Sequence, residues 1–380
     1  MNFDQQINRN DNYSFKWNRY KDRDILPMWV ADTDFKCAEP ITQALHKSVE
    51  HGVYGYVLPN EYEPAKVAIK HWLSQQHDWD IELDWIVWTA GVVPAFNMAC
   101  KGFCQPGDKV MVQAPNYPPM RAAPALNQLE RIDIGTVKRT NEASGEKRWT
   151  LDFEALEQHA SDPACKLFIM CNPMNPTGSV MTEEELAKVD DICERHGVMI
   201  CSDEIHCDLI LDQDAKHIPA GLLKNGDKTI TLMAASKTFN IAGLGTSFAI
   251  IPDSSIRRRF VAAGAGITPW VTIMGLVGTE VAFTQCDDWY QQQIAYLRDN
   301  RNYLFQQVNR IAGLSMLRPQ ATYLAWIDAK GLGVESPYRY FEDKGVGPSP
   351  GADFGNKDFV RINFGCPKQT IEQALLRLNS

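Results

Sequence analysis

The chain is short of positive charge, of long apolar runs and of closely spaced cysteine pairs. Its 380 residues carry a formal net charge of −9 at pH 7, whereas non-specific binding to nucleic acid needs a basic surface. No apolar run approaches the ~20 residues that cross a bilayer. The polar, acidic start Met-Asn-Phe-Asp does not resemble a signal peptide. We therefore expect a cytoplasmic protein with neither nucleic acid nor membrane as a partner.

The ten cysteines are scattered along the chain, and several lie inside apolar runs, where a free thiol packs as a small hydrophobic group. This distribution favours reduced thiols in a cytosol over a disulfide framework. Cys201, His206 and Cys207 could suggest a metal site, but no Cys-x2-Cys pair accompanies them. We therefore predict no metal site.

Short apolar runs alternate with helical patterns over most of the chain, which predicts an α/β fold with a mostly parallel sheet covered by helices on both faces. The predicted strands are residues 85–88, 109–113, 166–171, 198–202, 229–233 and 247–251. The best-signalled helix lies between the third and fourth of them. It begins at a capping box of Thr182 and Glu185 and ends at Gly197. Strand, helix and strand at this spacing predict a right-handed βαβ unit.

The pattern changes after about residue 285, where residues 289–311 predict a long amphipathic helix. Residues 322–327 and 359–363 predict two strands of a smaller α+β unit. The Gly- and Pro-rich residues 345–356 predict a mobile loop. The extended apolar residues 26–35 are expected to cover the site or to dock on the smaller unit.

A chain of this length exceeds one simple core, so more than one domain is expected. We predict a large sheet domain over residues 44–283 and a small domain over residues 284–380. The N-terminal residues 1–43 are predicted to belong mainly to the small domain.

Lys237 is the most informative residue, because it follows the apolar run 229–233 on a short turn with the small neighbours Ala234, Ala235 and Ser236. A buried lysine has a lowered pKa and becomes a usable amine. Such an amine forms a Schiff base with an aldehyde, above all with pyridoxal phosphate. Taken alone, a loop lysine whose ammonium reaches water is the commoner outcome. The interpretation therefore depends on the residues that follow the other strands.

Ligands of open α/β sheets lie outside the carboxyl ends of the strands. Asp203 follows one strand, and a carboxylate in a pocket needs a cationic partner, such as a protonated pyridine nitrogen. Tyr117, in a proline-stiffened loop, could stack on a planar cofactor. Asn175 lies in the rigid turn Asn172-Pro-Met-Asn-Pro-Thr-Gly178 and could donate its amide. His206 is ambiguous, since a structural histidine is the usual outcome.

These residues together with Arg361 resemble the fold-type I pyridoxal phosphate enzymes of the class I/II aminotransferase superfamily. Within it, several segments are similar to the MalY/PatB branch of cystathionine β-lyases. The resemblance covers nearly the whole chain in the order of the family. The segments are Met28-Trp-Val-Ala-Asp-Thr-Asp-Phe35, His51-Gly-Val-Tyr-Gly-Tyr56, Gly91-Val-Val-Pro-Ala95, Asn116-Tyr-Pro-Pro119, Ser236-Lys-Thr-Phe-Asn-Ile-Ala-Gly-Leu244 and Thr322-Tyr-Leu-Ala-Trp326.

The resemblance implies a large pyridoxal phosphate domain and a role for each matching residue. Lys237 would hold the cofactor aldehyde, Asp203 would partner the pyridine nitrogen and Tyr117 would stack on the ring, and these three are the implied catalytic residues. Ile205 would lie on the opposite face of the ring. The cofactor is thus expected to be pyridoxal 5'-phosphate.

Further roles concern the cofactor's phenolic oxygen and the substrate. Asn175 would donate to that oxygen, and His206 stands where many relatives have a tyrosine with the same task. Arg361 would bind the substrate α-carboxylate through two parallel hydrogen bonds.

The phosphate would be held by four residues. Val92 and Val93 lie where backbone N–H groups meet the phosphate, at the start of a helix, and Ser236 could add a hydroxyl. Tyr56 would reach the phosphate of the neighbouring subunit, which implies a homodimer with shared sites.

Three positions depart from the family pattern. Gly245 stands where aminotransferases often have a phosphate-binding arginine, and Ala234 replaces a frequent serine. Met174 stands where the branch usually has histidine. The phosphate site therefore depends on backbone groups, Ser236 and Tyr56.

The resemblance implies α,β-elimination from cystathionine or cysteine S-conjugates, which gives a thiol, pyruvate and ammonia. An aminotransferase is the first alternative, because it uses the same site residues. A pyridoxal phosphate-binding regulatory protein that acts through protein contacts is a more remote one. We find no second cation for a dicarboxylate substrate beside Arg361, so thioether amino acids are expected to be preferred over aspartate or glutamate.

Overall fold

The computed structural model describes residues 1–10, 12–140 and 145–380. In chain order the strands are β1 (Leu26–Pro27), β2 (Ile86–Thr89), β3 (Lys109–Gln113), β4 (Glu130–Ile134), β5 (Thr136–Thr140), β6 (Lys147–Leu151), β7 (Cys165–Cys171), β8 (Met199–Asp203), β9 (Ile230–Met233), β10 (Ser247–Ile250), β11 (Ser315–Met316), β12 (Leu324–Asp328), β13 (Val346–Gly347), β14 (Ser349–Pro350) and β15 (Phe359–Asn363).

The α-helices in chain order are α1 (Phe15–Asn18), α2 (Glu39–His51), α3 (Glu63–His77), α4 (Val92–Phe103), α5 (Pro118–Leu126), α6 (Phe153–Ala160), α7 (Glu183–His196), α8 (Ser254–Gly264), α9 (Ile273–Gln285), α10 (Asp287–Val308), α11 (Pro337–Asp343), α12 (Gly351–Phe354) and α13 (Lys368–Asn379). Within the described ranges, no helix has both the length and the apolar character needed to cross a membrane.

The large sheet has seven strands in the order β2-β10-β9-β8-β7-β3-β4. Only β10 runs antiparallel to its neighbours, so the predicted, mostly parallel sheet is confirmed. Each of the six predicted strands is present, with ends displaced by at most one residue.

Both faces of this sheet are buried, because alternate residues of one strand enter different core clusters. On β3, Val110 and Val112 pack in the cluster that contains residues of α4, whereas Met111 packs in the cluster that contains residues of α6 and α7. The sequence of a strand that is buried on both faces is a nearly continuous apolar run. This is why the central strands were recognisable from the sequence.

The helix α7 has the ends that the sequence predicts. The hydroxyl of Thr182 accepts the backbone N–H of Glu185 at 3.3 Å, and the Glu185 carboxylate accepts the backbone N–H of Thr182 at 3.0 Å. Gly197 ends the helix with φ of 66°, a conformation that favours glycine.

A second sheet has the order β11-β12-β15-β14 and is antiparallel throughout. The predicted long helix corresponds to α10, and the predicted strand over residues 359–363 is β15. The prediction of a loop over residues 345–356 is wrong, because this segment forms β13, β14 and α12. Gly351 is needed there for packing, since a Cβ atom would lie 2.1 Å from the carbonyl oxygen of Phe359.

The N-terminal segment docks on the second sheet. The backbone N–H of Met28 donates to Gly347 at 2.8 Å, and the backbone N–H of Asn363 donates to Met28 at 2.9 Å. The expected docking of residues 26–35 is therefore confirmed. The domain limits at residues 43 and 283 stay predictions.

The turn that carries Asn175 depends on Gly178, which has φ of +70°, and a Cβ atom there would lie 2.3 Å from Pro319 and 2.8 Å from the carbonyl oxygen of Ala321. We expect Gly178→Ala to destabilise the fold by about 2–4 kcal/mol, through backbone strain and a steric clash. Calorimetric unfolding of both variants would check this. The matched control is Gly197→Ala, where φ is +66° but the added Cβ meets open space. That variant should cost about 1 kcal/mol, and equal losses would contradict the role of the clash.

Candidate active site

A cavity of about 430 Å³ lies beyond the carboxyl ends of the central strands of the large sheet. Residues 29–31 of the N-terminal segment, Ser349 and Arg361 complete its wall. Ten of the eleven predicted site residues line it. These are Val92, Val93, Tyr117, Asn175, Asp203, Ile205, His206, Ser236, Lys237 and Arg361.

Lys237 follows β9, and its Nζ donates to the carbonyl oxygen of Ala31 at 2.7 Å. Burial lowers the pKa of this amine to about 8, against opposing effects of the Asp32 and Asp203 carboxylates. The amine therefore loses its proton much closer to neutral pH than an exposed lysine does.

Asp203 is the last residue of β8 and is 3% exposed. Burial raises the pKa of this carboxyl group to about 7, and the backbone N–H of Ile205 donates to its Oδ1 at 3.2 Å. No ion pair of Asp203 occurs among the described residues. Burial removes the hydration of this carboxylate, and a cation placed against it would compensate for that loss.

His206 and Asn175 face the same cavity. Burial lowers the pKa of His206 to about 3, so the imidazole is neutral. Its Nδ1 is buried and has no hydrogen-bond partner in the described part of the chain. Asn175 accepts from Nη1 of Arg361 at 3.0 Å through Oδ1, which leaves its amide N–H groups to donate. Both side chains can therefore hydrogen-bond a ligand.

Arg361 lies on β15 between Val360 and Ile362, which enter the core, and it faces the cavity as strand alternation predicts. Its Nη2 donates to the carbonyl oxygen of Trp29 at 2.7 Å, and its guanidinium lies 4.6 Å from the ring centroid of Phe354. Burial lowers its pKa to about 10. Its hydrogen-bond acceptors are neutral, so it can still bind a carboxylate.

The helix α4 begins at the cavity with Val92 and Val93, after Gly91 with φ of 138°. The first N–H groups of a helix have no intrahelical acceptor, and they bind anions well. Ser236, 9% exposed, and Gly245 also line the cavity.

Two other departures from the family pattern lie elsewhere. In the described part of the chain, the cavity lining contains neither Ala234 nor Met174. Met174 is 1% exposed and packs in the core of the large sheet.

Tyr56 is the one predicted site residue that does not line the cavity of its own chain. Its side chain is 99% exposed, with its ring centroid 6.5 Å from that of Trp270. The contact of Tyr56 with the phosphate of a neighbouring subunit stays a prediction.

Phe15, Arg19 and Trp29 are among the lining residues that the sequence did not predict as site residues. The expectation that no second cation accompanies Arg361 is therefore wrong. Arg19 reaches the cavity because the N-terminal segment folds over it. The only sequence signal was the extended segment that was expected to cover the site.

Cys207 does not form a cluster with Cys201 and His206. Its sulfur lies near His77 and Asp208, with ligand atoms within 4.8 Å of one another. Oδ1 of Asp208 lies 2.8 Å from Nε2 of His77 and accepts from Nε1 of Trp72 at 3.0 Å. These contacts are typical of a satisfied buried network.

Comparison with known proteins places this geometry in a family. The model of the family "Aminotransferase class I and II" matches residues 30–378. Cystathionine beta-lyase PatB of Bacillus subtilis (strain 168) is 35% identical over 399 residues, which cover 100% of this chain and 99% of PatB.

Solved structures agree with that match. The crystal structure of OvoB superimposes with a TM-score of 0.94 at 42% identity, covering 99% of this chain and 98% of OvoB. Cystalysin from Treponema denticola, whose structure contains a pyridoxal 5'-phosphate cofactor, gives a TM-score of 0.92 at 32% identity, covering 100% of this chain and 98% of cystalysin. The chain therefore belongs to the aminotransferase class I and II family.

Proposed function

We propose that this chain is a pyridoxal phosphate-dependent carbon–sulfur β-lyase, which cleaves cystathionine or cysteine S-conjugates to a thiol, pyruvate and ammonia. The observation that carries the proposal is the convergence of a buried amine, a buried unpaired carboxylate and a buried arginine on one cavity, at Lys237, Asp203 and Arg361. The similarity to PatB, a cystathionine beta-lyase, supports the choice of reaction.

The residues present fit pyridoxal phosphate. Asp203 has no ion pair in the part of the chain that the structure describes, and a pyridinium nitrogen would supply one. Among the described residues, the buried Nδ1 of His206 also has no hydrogen-bond partner. The start of α4 suits a phosphate group, and Tyr117 and Ile205 offer surfaces for the two faces of a ring.

Bound pyridoxal phosphate would supply an electron sink for a carbanion at the substrate Cα. Lys237 would hold the aldehyde carbon of the cofactor. Once the substrate amine has taken its place, the neutral Lys237 amine would remove the Cα proton. Asp203, as a carboxylate, would keep the pyridine nitrogen protonated, because its raised pKa falls when a cation binds beside it.

Arg361 would orient the substrate by binding its α-carboxylate. Its Nε has no partner in the described residues, and its Nη2 donates only to the carbonyl of Trp29 and the hydroxyl of Ser349. A carboxylate adds the attraction between opposite charges and can accept two parallel hydrogen bonds, which these neutral oxygens do not offer. Exchange of neutral acceptors for the substrate therefore favours binding.

The aminotransferase class I and II family match also supports a second candidate function, transamination, which would use the same residues. The two reactions differ after the Cα proton has left. Elimination expels the sulfur group, whereas transamination passes the amino group to a keto acid.

We further propose a homodimer in which Tyr56 completes the phosphate site of the partner subunit. Exposed apolar side chains support an interface, namely Val53 and Tyr54 close to it in the chain and Trp270, whose ring centroid lies 6.5 Å from that of Tyr56. We also propose a cytoplasmic location, which the ten free cysteine thiols support.

The reaction is tested by pyruvate release from cystathionine without any keto acid. Lys237→Ala should lower kcat by at least about 1,000-fold, because it removes both the cofactor anchor and the base. Lys66→Ala is the matched control, since Lys66 is another buried lysine whose pKa is lowered by burial, and it lies outside the cavity. Amino transfer to a keto acid that is faster than pyruvate release would instead support the aminotransferase.

Capture of pyridoxal phosphate by the apoprotein should depend on pH through Lys237. Only the neutral amine attacks the aldehyde, so the capture rate should rise with pH, with a midpoint near 8 rather than near 10.5. Stopped-flow visible absorbance would measure it. Asp32→Asn should move the midpoint lower, because the Asp32 carboxylate favours the charged amine. A midpoint near 10.5 would show that the amine is not desolvated.

The shared site is tested by mixing two inactive or weakened proteins. In a mixed dimer of Lys237→Ala and Tyr56→Phe chains, one site carries both defects and the other carries neither. Pyruvate release should therefore rise above the sum of the separate proteins after subunit exchange. If exchange is confirmed by mass spectrometry and activity does not rise, Tyr56 does not serve the partner subunit.

A further inference from the structure

The cavity lining contains three cationic side chains in the described residues, and only two of them have a role in the proposed function. Lys237 would hold the cofactor and Arg361 the α-carboxylate. The third is Arg19, directly after α1. Its Nη2 donates to the Tyr338 hydroxyl at 2.8 Å, and its guanidinium lies 4.6 Å from the Trp29 ring centroid. No ion pair of Arg19 occurs among the described residues, so its charge is available to a ligand.

Phe15 gives this part of the cavity an apolar surface. Its side chain is 73% exposed, although it is a large aromatic residue that lines the cavity. Its ring centroid lies 4.7 Å from that of Trp29. An exposed aromatic surface beside a pocket favours burial of an apolar ligand group.

Trp29 connects this region to the site of the α-carboxylate. Its carbonyl oxygen accepts from Arg361 at 2.7 Å, while its ring contacts Phe15 and Arg19. A substrate held at Arg361 would therefore lie against one side of Trp29, and a substituent that extends along the indole would reach the Arg19 guanidinium.

We propose that Phe15, Arg19 and Trp29 form a leaving-group subsite, which binds the substituent on the substrate sulfur, and that Arg19 selects substituents that end in a carboxylate. This inference rests on the proposed lyase function and names its substrate class. Phe15 and Trp29 cover the alkyl part of the substituent, and Arg19 pairs with its terminal charge.

The test uses two substrates of equal shape, S-(2-carboxyethyl)-L-cysteine and S-(2-carbamoylethyl)-L-cysteine. Neither carries a distal ammonium group, so an attraction to Asp353, an acidic residue of the lining, does not enter the comparison. The wild type should prefer the carboxylate in kcat/KM by roughly five- to tenfold, as expected for a partly exposed charge-assisted pair. The measurement is pyruvate release, with KM and kcat determined separately.

Arg19→Gln should remove the preference, mainly through a higher KM for the carboxylate. Arg23→Gln is the matched control, because Arg23 is an exposed arginine of the same segment that stacks on Tyr20 at 5.4 Å and lies outside the lining. Phe15→Ala should raise KM for both substrates by the same factor, since the ring does not distinguish charge. A preference that persists in Arg19→Gln would overturn the proposal.

A binding measurement separates this proposal from the lyase function. L-2-Aminopimelate and its ω-amide have the same shape, with a methylene in place of sulfur, so no thiol can leave. Calorimetric titration of the holoenzyme should show tighter binding of the dicarboxylate, and Arg19→Gln should abolish the difference. If this binding difference is observed but neither thioether releases pyruvate, the subsite is confirmed and the lyase function is wrong. If the two compounds bind equally to the wild type, the subsite is wrong whatever the enzyme catalyses.

Discussion

The active site depends on three buried charged groups that contact no opposite charge among the residues that the structure describes. Lys237 donates to a carbonyl oxygen, Asp203 accepts from a backbone N–H, and Arg361 donates to neutral oxygens. Burial of an unpaired charge is costly. It lowers the pKa of Lys237 and Arg361 and raises that of Asp203, so each shift favours the neutral form. A ligand that brings a pyridinium, an aldehyde and a carboxylate would remove this cost at all three positions. The burial of these three groups thus contributes to the binding energy of such a ligand.

Several other buried charges are paired, and these ion pairs hold the scaffold. Lys16 is fully buried and lies 2.7 Å from Asp34, which also contacts Arg9 at 2.6 Å. This network holds the N-terminal segment that supplies Trp29 and Ala31 to the cavity. Breaking such a pair leaves an uncompensated charge and is strongly destabilising. The ion pairs of Lys16 and Asp34 therefore help to place the wall of the site, whereas the unpaired groups in the cavity can bind a ligand.

The sequence predicts the strands with continuous apolar runs well, and it does not predict the charged edge strand β4. The central strands are buried on both faces, so their apolar runs are continuous and their ends fall within one residue of the prediction. The edge strand β4, Glu130-Arg-Ile-Asp-Ile134, carries charged residues and has no such run, as is common at sheet edges. Glycine and proline usually mark turns, so the sequence around Gly351 predicts a loop. There the glycine instead permits a close approach to Phe359, which only the tertiary structure reveals.

The same division applies to the site. Asp203, Asn175 and Lys237 follow strands of one parallel sheet, and the topology of such a sheet gathers the carboxyl ends of its strands at one edge. Their meeting could therefore be predicted without coordinates. Arg19 lies more than 200 residues from Lys237 in the chain and reaches the cavity only because its segment crosses the small sheet. No local sequence pattern predicts that the segment carrying Arg19 reaches the cavity. Residues that any cofactor of this class requires thus lie on the regular sheet, whereas residues that would distinguish one substrate from another lie on the segment laid across it. Divergence in substrate choice can then proceed in the N-terminal segment without disturbing the buried charges that hold the cofactor.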